Sequence, residues 1–318
     1  MSTVDTDLII VGAGPAGLTA AQYGARANLK VLVIEELSVG GQALLIDALE
    51  NYPGNVGGEG YGPKTGYEFA MDLHRQAESF GALFFYGEVN SLDKDGDIFT
   101  VGLSDGTTRA ATAVIIATGA KPRLLDVPGE KEFTGRGVSY CATCDGNFFR
   151  NKKIFVAGGG DAACDEARYL SRLTDKVVMV HRRDSFRAQK ALVKRTLENP
   201  NIEVRFNTVI KEINGEKKVK SVVLADTKTG ETHGEDADAV FIFAGTVPQS
   251  SLVAGNKLNV KLDESGYIIT DQKMAANIPG LYAAGDVRSG AFRQVVTAAA
   301  DGAIAAHNAS EYIDENKK

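Results

Sequence analysis

Residues 7–17 read Asp7-Leu8-Ile9-Ile10-Val11-Gly12-Ala13-Gly14-Pro15-Ala16-Gly17, and this stretch decides the fold class. It opens as the short apolar run of a buried strand and breaks at once into the pattern G-x-G-x-x-G. In such a turn the first glycine, Gly12, permits the tight bend. The second, Gly14, lets backbone approach a pyrophosphate, and the third, Gly17, lets helix and strand pack closely. The Ala-rich segment Leu18–Ala27 predicts the helix that follows, with its free amides and positive dipole end turned toward phosphate. Lys30–Ile34 is a second apolar strand, and it runs into Glu35, 18 residues past Gly17. A carboxylate there accepts a ribose hydroxyl and disfavours a 2′-phosphate. Strand, loop, helix, strand and acid in this order predict a βαβ unit for FAD or NAD and not NADP.

The same design returns 146 residues later, counting from Gly12 to Gly158. Lys153–Ala157 is an apolar strand, Gly158-Gly159-Gly160-Asp161-Ala162-Ala163 gives G-x-G-x-x-A, Cys164–Leu173 reads as helix, and Val177–Val180 as the second strand. The residues after that strand carry the opposite charge: His181-Arg182-Arg183-Asp184-Ser185-Phe186-Arg187. Guanidinium forks match phosphate in two-point fashion, so this loop prefers NADPH over NADH. A basic run by itself usually marks a solvated helix start; its place at the end of a fingerprint strand favours the phosphate reading. Two such units imply two nucleotide-binding domains. Lys121-Pro122-Arg123 and Gly245-Thr246-Val247-Pro248 each follow an apolar strand and contain proline, which places the crossings between domains there. The expected architecture is α/β, with two Rossmann-like domains. The first is discontinuous, spanning 1–121 and 248–318, with the second, 122–247, inserted into it. Near the C-terminus a strand is expected at Leu281–Ala284, a turn at Gly285-Asp286 and a helix at Gln294–Ala306, followed by a polar, frayed tail over 312–318.

Composition narrows the function. The 318 residues are 44% hydrophobic and 24% charged, as in ordinary globular proteins. The 35 glycines, about 11% against a usual ~7%, cluster where backbone would meet ligand. A formal charge of -6 offers no broad basic field for nucleic acid. No apolar run reaches the ~18 residues of a membrane span, and the acidic N-terminus does not read as a signal peptide, so a cytoplasmic protein is expected.

Three cysteines do not make a secreted disulfide framework, and in a reducing compartment a close pair reads as redox-active or metal-binding. Cys141-Ala142-Thr143-Cys144-Asp145-Gly146 holds that pair. A structural zinc site needs four ligands, there is no second C-x-x-C, and Cys164 on its helix reads as a small buried hydrophobe, so redox chemistry ranks above zinc. At this spacing two thiols can close a disulfide. Asp145 can give or take the proton that reduction requires, although a turn Asp before Gly146 fits the spacing too. The same two readings, cofactor hydroxyl or turn, hold for Asp286.

Taken together, these motifs resemble the low-molecular-weight thioredoxin reductase family over essentially the whole chain. The resemblance rests on Gly-Ala-Gly-Pro-Ala-Gly at Gly12, Gly-Gly-Gln at Gly40, Glu-Asn-Tyr-Pro-Gly at Glu50, Ala-Thr-Gly at Ala117 and Cys-Ala-Thr-Cys-Asp-Gly at Cys141. It continues in Gly-Gly-Gly-Asp at Gly158, His-Arg-Arg-Asp at His181, Gly-Asp-Val at Gly285 and Arg-Gln-Val at Arg293. It implies a homodimer that moves electrons from NADPH through FAD to a Cys141–Cys144 disulfide and on to thioredoxin. In that scheme Cys144 faces the flavin, Cys141 attacks the partner disulfide, and Asp145 handles protons. FAD would be held by Gly12, Gly14, Pro15 and Ala16, by Glu35 and Glu36, by Gly40, Gly41 and Gln42, and by Asn51, Val89, Ala117 and Gly119. Gly285, Asp286, Arg293, Gln294 and Val295 would join from the C-terminal part. NADPH would fall to Gly158, Gly160, Asp161 and Ala162, with His181, Arg182, Arg183 and Arg187. The resemblance also implies that the NADPH domain turns on the crossings near Lys121 and Gly245.

The sequence departs from the family over Asn55–Phe69, which is longer and richer in glycine than the pattern; if this loop lies near the flavin or the partner surface, it would alter which thioredoxin-like protein is accepted. Neighbouring activities fit less well. A peroxide-reducing flavoprotein subunit carries an extra N-terminal redox domain, a ferredoxin-linked reductase would not need Arg182, Arg183 and Arg187, and a ferredoxin reductase lacking a dithiol would not carry Cys141 and Cys144. A regulatory module using the cysteines structurally would leave both glycine loops unexplained.

Overall fold

The computed structural model describes residues 6–46, 49, 51–57 and 62–316. The chain divides into two units, one formed by the residues up to Lys121 together with those from Val247 onward, the other by Pro122–Thr246.

In the first unit the strand Thr6–Val11 lies between two parallel neighbours, Val31–Glu35 and Thr108–Ile116, with Leu8 opposite Val31 and Ile10 opposite Ile115. Leu83–Tyr86 extends the sheet beyond Val31–Glu35, and Leu281–Ala283 pairs in parallel with Thr108–Ile116. An antiparallel meander, Val89–Asp95, Ile98–Leu103 and Thr108–Ile116, completes it. The central strand is buried on both faces, which is why it reads as a continuous apolar run and not as an alternation. Leu8 and Ile10 enter one core layer, Ile9 and Val11 the other.

The helix Pro15–Arg26 begins inside the glycine loop, because Pro at the first helical position has its φ already set and needs no amide partner. Its small residues face the long helix Val295–Asn316 so closely that a side chain on Gly302 would collide with the Ala16 carbonyl. That C-terminal helix replaces the shorter helix and frayed tail expected from sequence. Ala305, Ala306, Ala309 and Ile313 are buried along it, so tertiary packing extends a segment whose polar composition suggested fraying. The helix Gly66–Ser79 starts on a capping box in which Thr65 Oγ1 accepts from the Glu68 amide and Glu68 accepts from the Thr65 amide. The end of the glycine-rich segment is therefore helical; Gly58 and Gly60, like Glu50, lie outside the described residues.

The second unit has a five-stranded sheet in the order Ile202–Phe206, Val177–His181, Ile154–Gly158, Ala239–Phe243 and Val138–Ser139, with the bordering pairs parallel. A three-stranded antiparallel sheet, Thr208–Gly215, Val219–Asp226 and Thr232–Asp236, covers one side. The helix Asp161–Leu170 covers the other, with Ala163, Ala167 and Leu170 in the core.

Candidate active site

In the first unit the glycine loop is enclosed by segments distant in sequence. Gly12 adopts φ +103°, and a Cβ there would sit 2.5 Å from the Ala117 carbonyl oxygen, so the strand bearing Ala117 presses directly on the turn. The Gly40 amide donates to the Ala13 carbonyl at 2.8 Å. A Cβ on Gly41 would lie 3.3 Å from Gly14 Cα, and one on Gly285 2.9 Å from Ala16 Cβ. Four of the segments singled out in the sequence thus meet at the start of one helix. Gly14 itself has nothing within 4 Å of its Cβ position, and the same is true of Gly119. Open space before helix amides, rimmed by bare backbone, fits a dinucleotide pyrophosphate.

Glu35 ends its strand and turns back to the loop, its carboxylate accepting from the Ala13 amide at 2.7 Å and the Leu37 amide at 3.1 Å. Glu36 beside it is exposed. Gln42 donates through Nε2 to the Ala120 carbonyl. Asn51 donates to Gln294 Oε1 at 3.0 Å across 243 residues of sequence, while Val89 packs on the sheet's second core layer. Arg293 lies with its guanidinium carbon 4.5 Å from the centre of the Tyr267 ring, and Val295 opens the last helix.

Asp286, in the 3-10 turn Gly285–Val287, is pushed up to about 6 by burial, an effect that Arg293 opposes and Asp301 reinforces. Asp301 went unnoticed in the sequence. It is buried, takes Arg288 in two-point fashion at 2.6 and 3.0 Å and accepts from the Gly285 amide at 3.1 Å, pinning the turn to the last helix. Its only sequence signal is a lone acid in the alanine-rich first half of that helix, Val295–Ala306.

The loop of the second unit is supported by its own neighbours. A Cβ on Gly158 would lie 2.6 Å from that of Ala163 and 2.7 Å from the Phe243 oxygen, whereas Gly160 again faces open space. Asp161 accepts from the Gln189 amide at 2.7 Å, the Arg187 amide donates to Gly159 at 2.8 Å, and Ala162 is exposed. His181 is 5% exposed, and its ring occupies the place a side chain on Gly159 would need. Burial holds it below the ordinary histidine value, and the neighbouring Arg187, Arg182 and Arg183 push the same way. The imidazole is therefore a buried support beneath the loop whose charged form is disfavoured, and the exposed positive charge is that of the three arginines. Among the described residues none of the three has a carboxylate within ion-pair distance.

Cys141 and Cys144 form a disulfide with S–S 2.07 Å and Cα–Cα 5.3 Å. Cys141 caps the one-turn helix Ala142–Asp145, its Sγ accepting from the Cys144 amide at 3.2 Å and lying 3.5 Å from Thr143 Oγ1. An amide aimed at a sulfur stabilises negative charge on it. Asp145 Oδ2 accepts from Ser139 Oγ at 2.5 Å. The residue before the pair, Tyr140, donates to Glu130, a carboxylate 1% exposed that also accepts from the Leu125 and Asp126 amides at 3.0 and 2.7 Å. Burial raises the Tyr140 phenol well above its usual value, so it stays a donor at any working pH. Neither Glu130 nor Ser139 is singled out by the sequence, because the fold, and no local motif, brings each to its partner. Cys164 is buried and its thiol is pushed up by burial.

Among the described residues no helix is long and apolar enough to cross a membrane. Residues 6–302 match the pyridine nucleotide-disulphide oxidoreductase family. A thioredoxin reductase of Treponema pallidum is 55% identical over 310 residues, 98% of each chain, and one from Peptoclostridium acidaminophilum is 45% identical over 316 residues, again 98% of each. The crystal structure of the thioredoxin reductase from Streptococcus pyogenes superposes with a TM-score of 0.87 at 43% identity, covering 99% of this chain and all of that one. The chain belongs to the pyridine nucleotide-disulphide oxidoreductase family and, within it, to the thioredoxin reductases.

Proposed function

We propose that this chain is an NADPH-dependent thioredoxin-disulfide reductase, a cytoplasmic homodimer with FAD on the first glycine loop and NADPH on the second. Electrons leave through Cys141 and Cys144 to the disulfide of thioredoxin or a thioredoxin-like protein. The observation that carries the reading is a disulfide capping a helical turn, with a carboxylate one residue on, in a chain bearing two dinucleotide loops that end in opposite charge. Glu35 suits the hydroxyls of a flavin dinucleotide, and Arg182, Arg183 and Arg187 suit the 2′-phosphate of NADPH.

Bound FAD supplies two-electron chemistry between a nicotinamide and a disulfide. With two electrons delivered, the Cys141–Cys144 bond would open, leaving Cys141 as the attacking thiolate, to which the Cys144 amide donates, and Cys144 as the resolving thiol. Cys141 Sγ then bonds to one sulfur of the partner disulfide, and the departing partner sulfur takes a proton. Cys144 Sγ attacks Cys141 Sγ, re-forms the internal disulfide and releases the second partner thiol. Asp145 gives and recovers the protons. The balance is one NADPH and one proton consumed for one disulfide converted to two thiols.

The test uses purified holoenzyme with thioredoxin from the same cell and insulin precipitation as readout. The protein is expected to be yellow and to be bleached faster by NADPH than by NADH. Cys141→Ser should keep the colour and lose thioredoxin-linked turnover by about 1000-fold or more, since the nucleophile is gone. Undiminished turnover in that variant, or a colourless wild type, would refute the proposal.

A further inference from the structure

We infer that Ser139 is a positioning residue of the redox turn, orienting the Asp145 carboxylate and anchoring Cys141 while taking no direct part in the exchange; this rests on the roles proposed above for Cys141 and Asp145. Ser139 ends the edge strand Val138–Ser139, held in register by Val240 opposite Val138 and Phe241 opposite Ser139. Alternation along the strand sends Val138 into the core layer under the antiparallel sheet and Ser139 to the other face. There Ala142, the residue between the cysteine cap and Thr143, is fully buried beside Phe241. The serine is thus placed by the sheet and not by the loop.

Its hydroxyl has one proton to give. The Cys141 amide donates to Ser139 Oγ at 3.1 Å, which uses the oxygen as acceptor. Two acceptors compete for the proton, Asp145 Oδ2 at 2.5 Å and the Cys141 carbonyl at 3.2 Å. The shorter contact to the charged oxygen wins. A single side chain, 5% exposed, therefore grips the backbone in front of the attacking sulfur and the carboxylate behind the second one. Burial keeps water from substituting for the hydroxyl and keeps Ser139 off any surface a partner protein touches.

A serine that only stiffened the strand end would act on rate independently of Asp145. One that works through Asp145 would lose its influence once that carboxylate is gone. The test is a double-mutant cycle on the holoenzyme with Ser139→Ala, Asp145→Asn and both together. Turnover is measured with thioredoxin and, in parallel, with dithionitrobenzoate, so that a wrong partner protein does not disable the readout. NADPH bleaching is followed separately. Ser139→Ala is expected to lower kcat about tenfold, the scale of one hydrogen bond to a charged group, with KM for thioredoxin and the bleaching rate unchanged. The double variant should be no slower than Asp145→Asn alone. Equal slowing of wild type and Asp145→Asn by Ser139→Ala would overturn the inference, and so would wild-type turnover in Ser139→Ala beside a slow Asp145→Asn. Wild-type turnover in Asp145→Asn would instead strike the proton role of Asp145 and the inference with it.

Discussion

The two glycine loops have one fingerprint and two surroundings. Around Gly12–Gly17, segments from Gly40, Ala117 and Gly285 press on the turn, and the acid at the strand end folds back onto the loop amide. Around Gly158–Ala163 the supports are the neighbouring strand, the buried His181 and the amide of Arg187, and the charged groups stand out in solvent. A dinucleotide seated in the first cradle would be bordered by backbone from four places in the sequence, and one in the second would meet exposed guanidinium groups. That difference suits a resident cofactor in the first loop and an exchanging nucleotide in the second.

The harshest way to break the comparison is to add the same methyl group to both loops. Gly12→Ala puts Cβ 2.5 Å from a backbone oxygen at φ +103°, a combination of overpacking and left-handed strain costing about 2 kcal/mol or more. The variant should melt earlier and purify with little flavin absorbance. Gly160→Ala meets nothing within 4 Å and has φ −99°, so its melting curve should match wild type while KM for NADPH rises. Equal losses of stability in the two would show that the loops are supported alike.

A smaller change sharpens the charge difference. If Arg182 and Arg183 hold the 2′-phosphate as proposed, replacing both by Ala removes charge-assisted bonds worth about 10- to 100-fold in nucleotide affinity. KM for NADPH should rise by that factor and KM for NADH should move little, in steady-state turnover with either nucleotide. Parallel rises for both would mean the arginines do not read the 2′ position.

An effect confined to one side of the pH range lies in the helices behind the loops. Glu166 sits where the first helix, 146 residues earlier, carries the fully buried Ala20. Its Oε2 has no hydrogen-bond partner, and burial lifts it to about 7, with the Asp165 charge adding to the lift. An acid whose folded value is raised costs stability once ionised. The fold is therefore favoured below about 4.5, loses stability as pH rises toward about 7, and carries the full penalty above it. Glu166→Gln should flatten that slope and gain about 2 kcal/mol at pH 8, read by denaturant unfolding across pH. A variant with the wild-type slope would place the titration elsewhere.

Much of this was legible without coordinates because it depends on neighbours in sequence. Strand, glycine turn and helix are consecutive, and their periods and φ demands are written in the residues themselves: Leu8–Val11 reads as a doubly buried strand, Gly12 as a forced turn, Cys141 and Cys144 as a closable pair. The charge contrast between Glu35 and Arg182 to Arg187 is equally local. The capping box Thr65–Glu68 was also there to be read, under a glycine-rich stretch that drew the eye to a loop.

What only the tertiary structure decided are approaches between distant segments, which no local rule encodes. Ala117 and Gly285 converge on the first loop because parallel strands end at one edge of one sheet. Asp301 is tied to Arg288 because the last helix packs against the turn Gly285–Val287. His181 is held below the ordinary histidine value because its strand buries it. Ser139 reaches Asp145 because strand alternation aims it across a turn that the sequence shows only as a cysteine pair. Sequence determined the parts and their charges, since backbone geometry and side-chain chemistry are properties of the residues; the fold decided which of them touch, since contact depends on how sheets and helices pack.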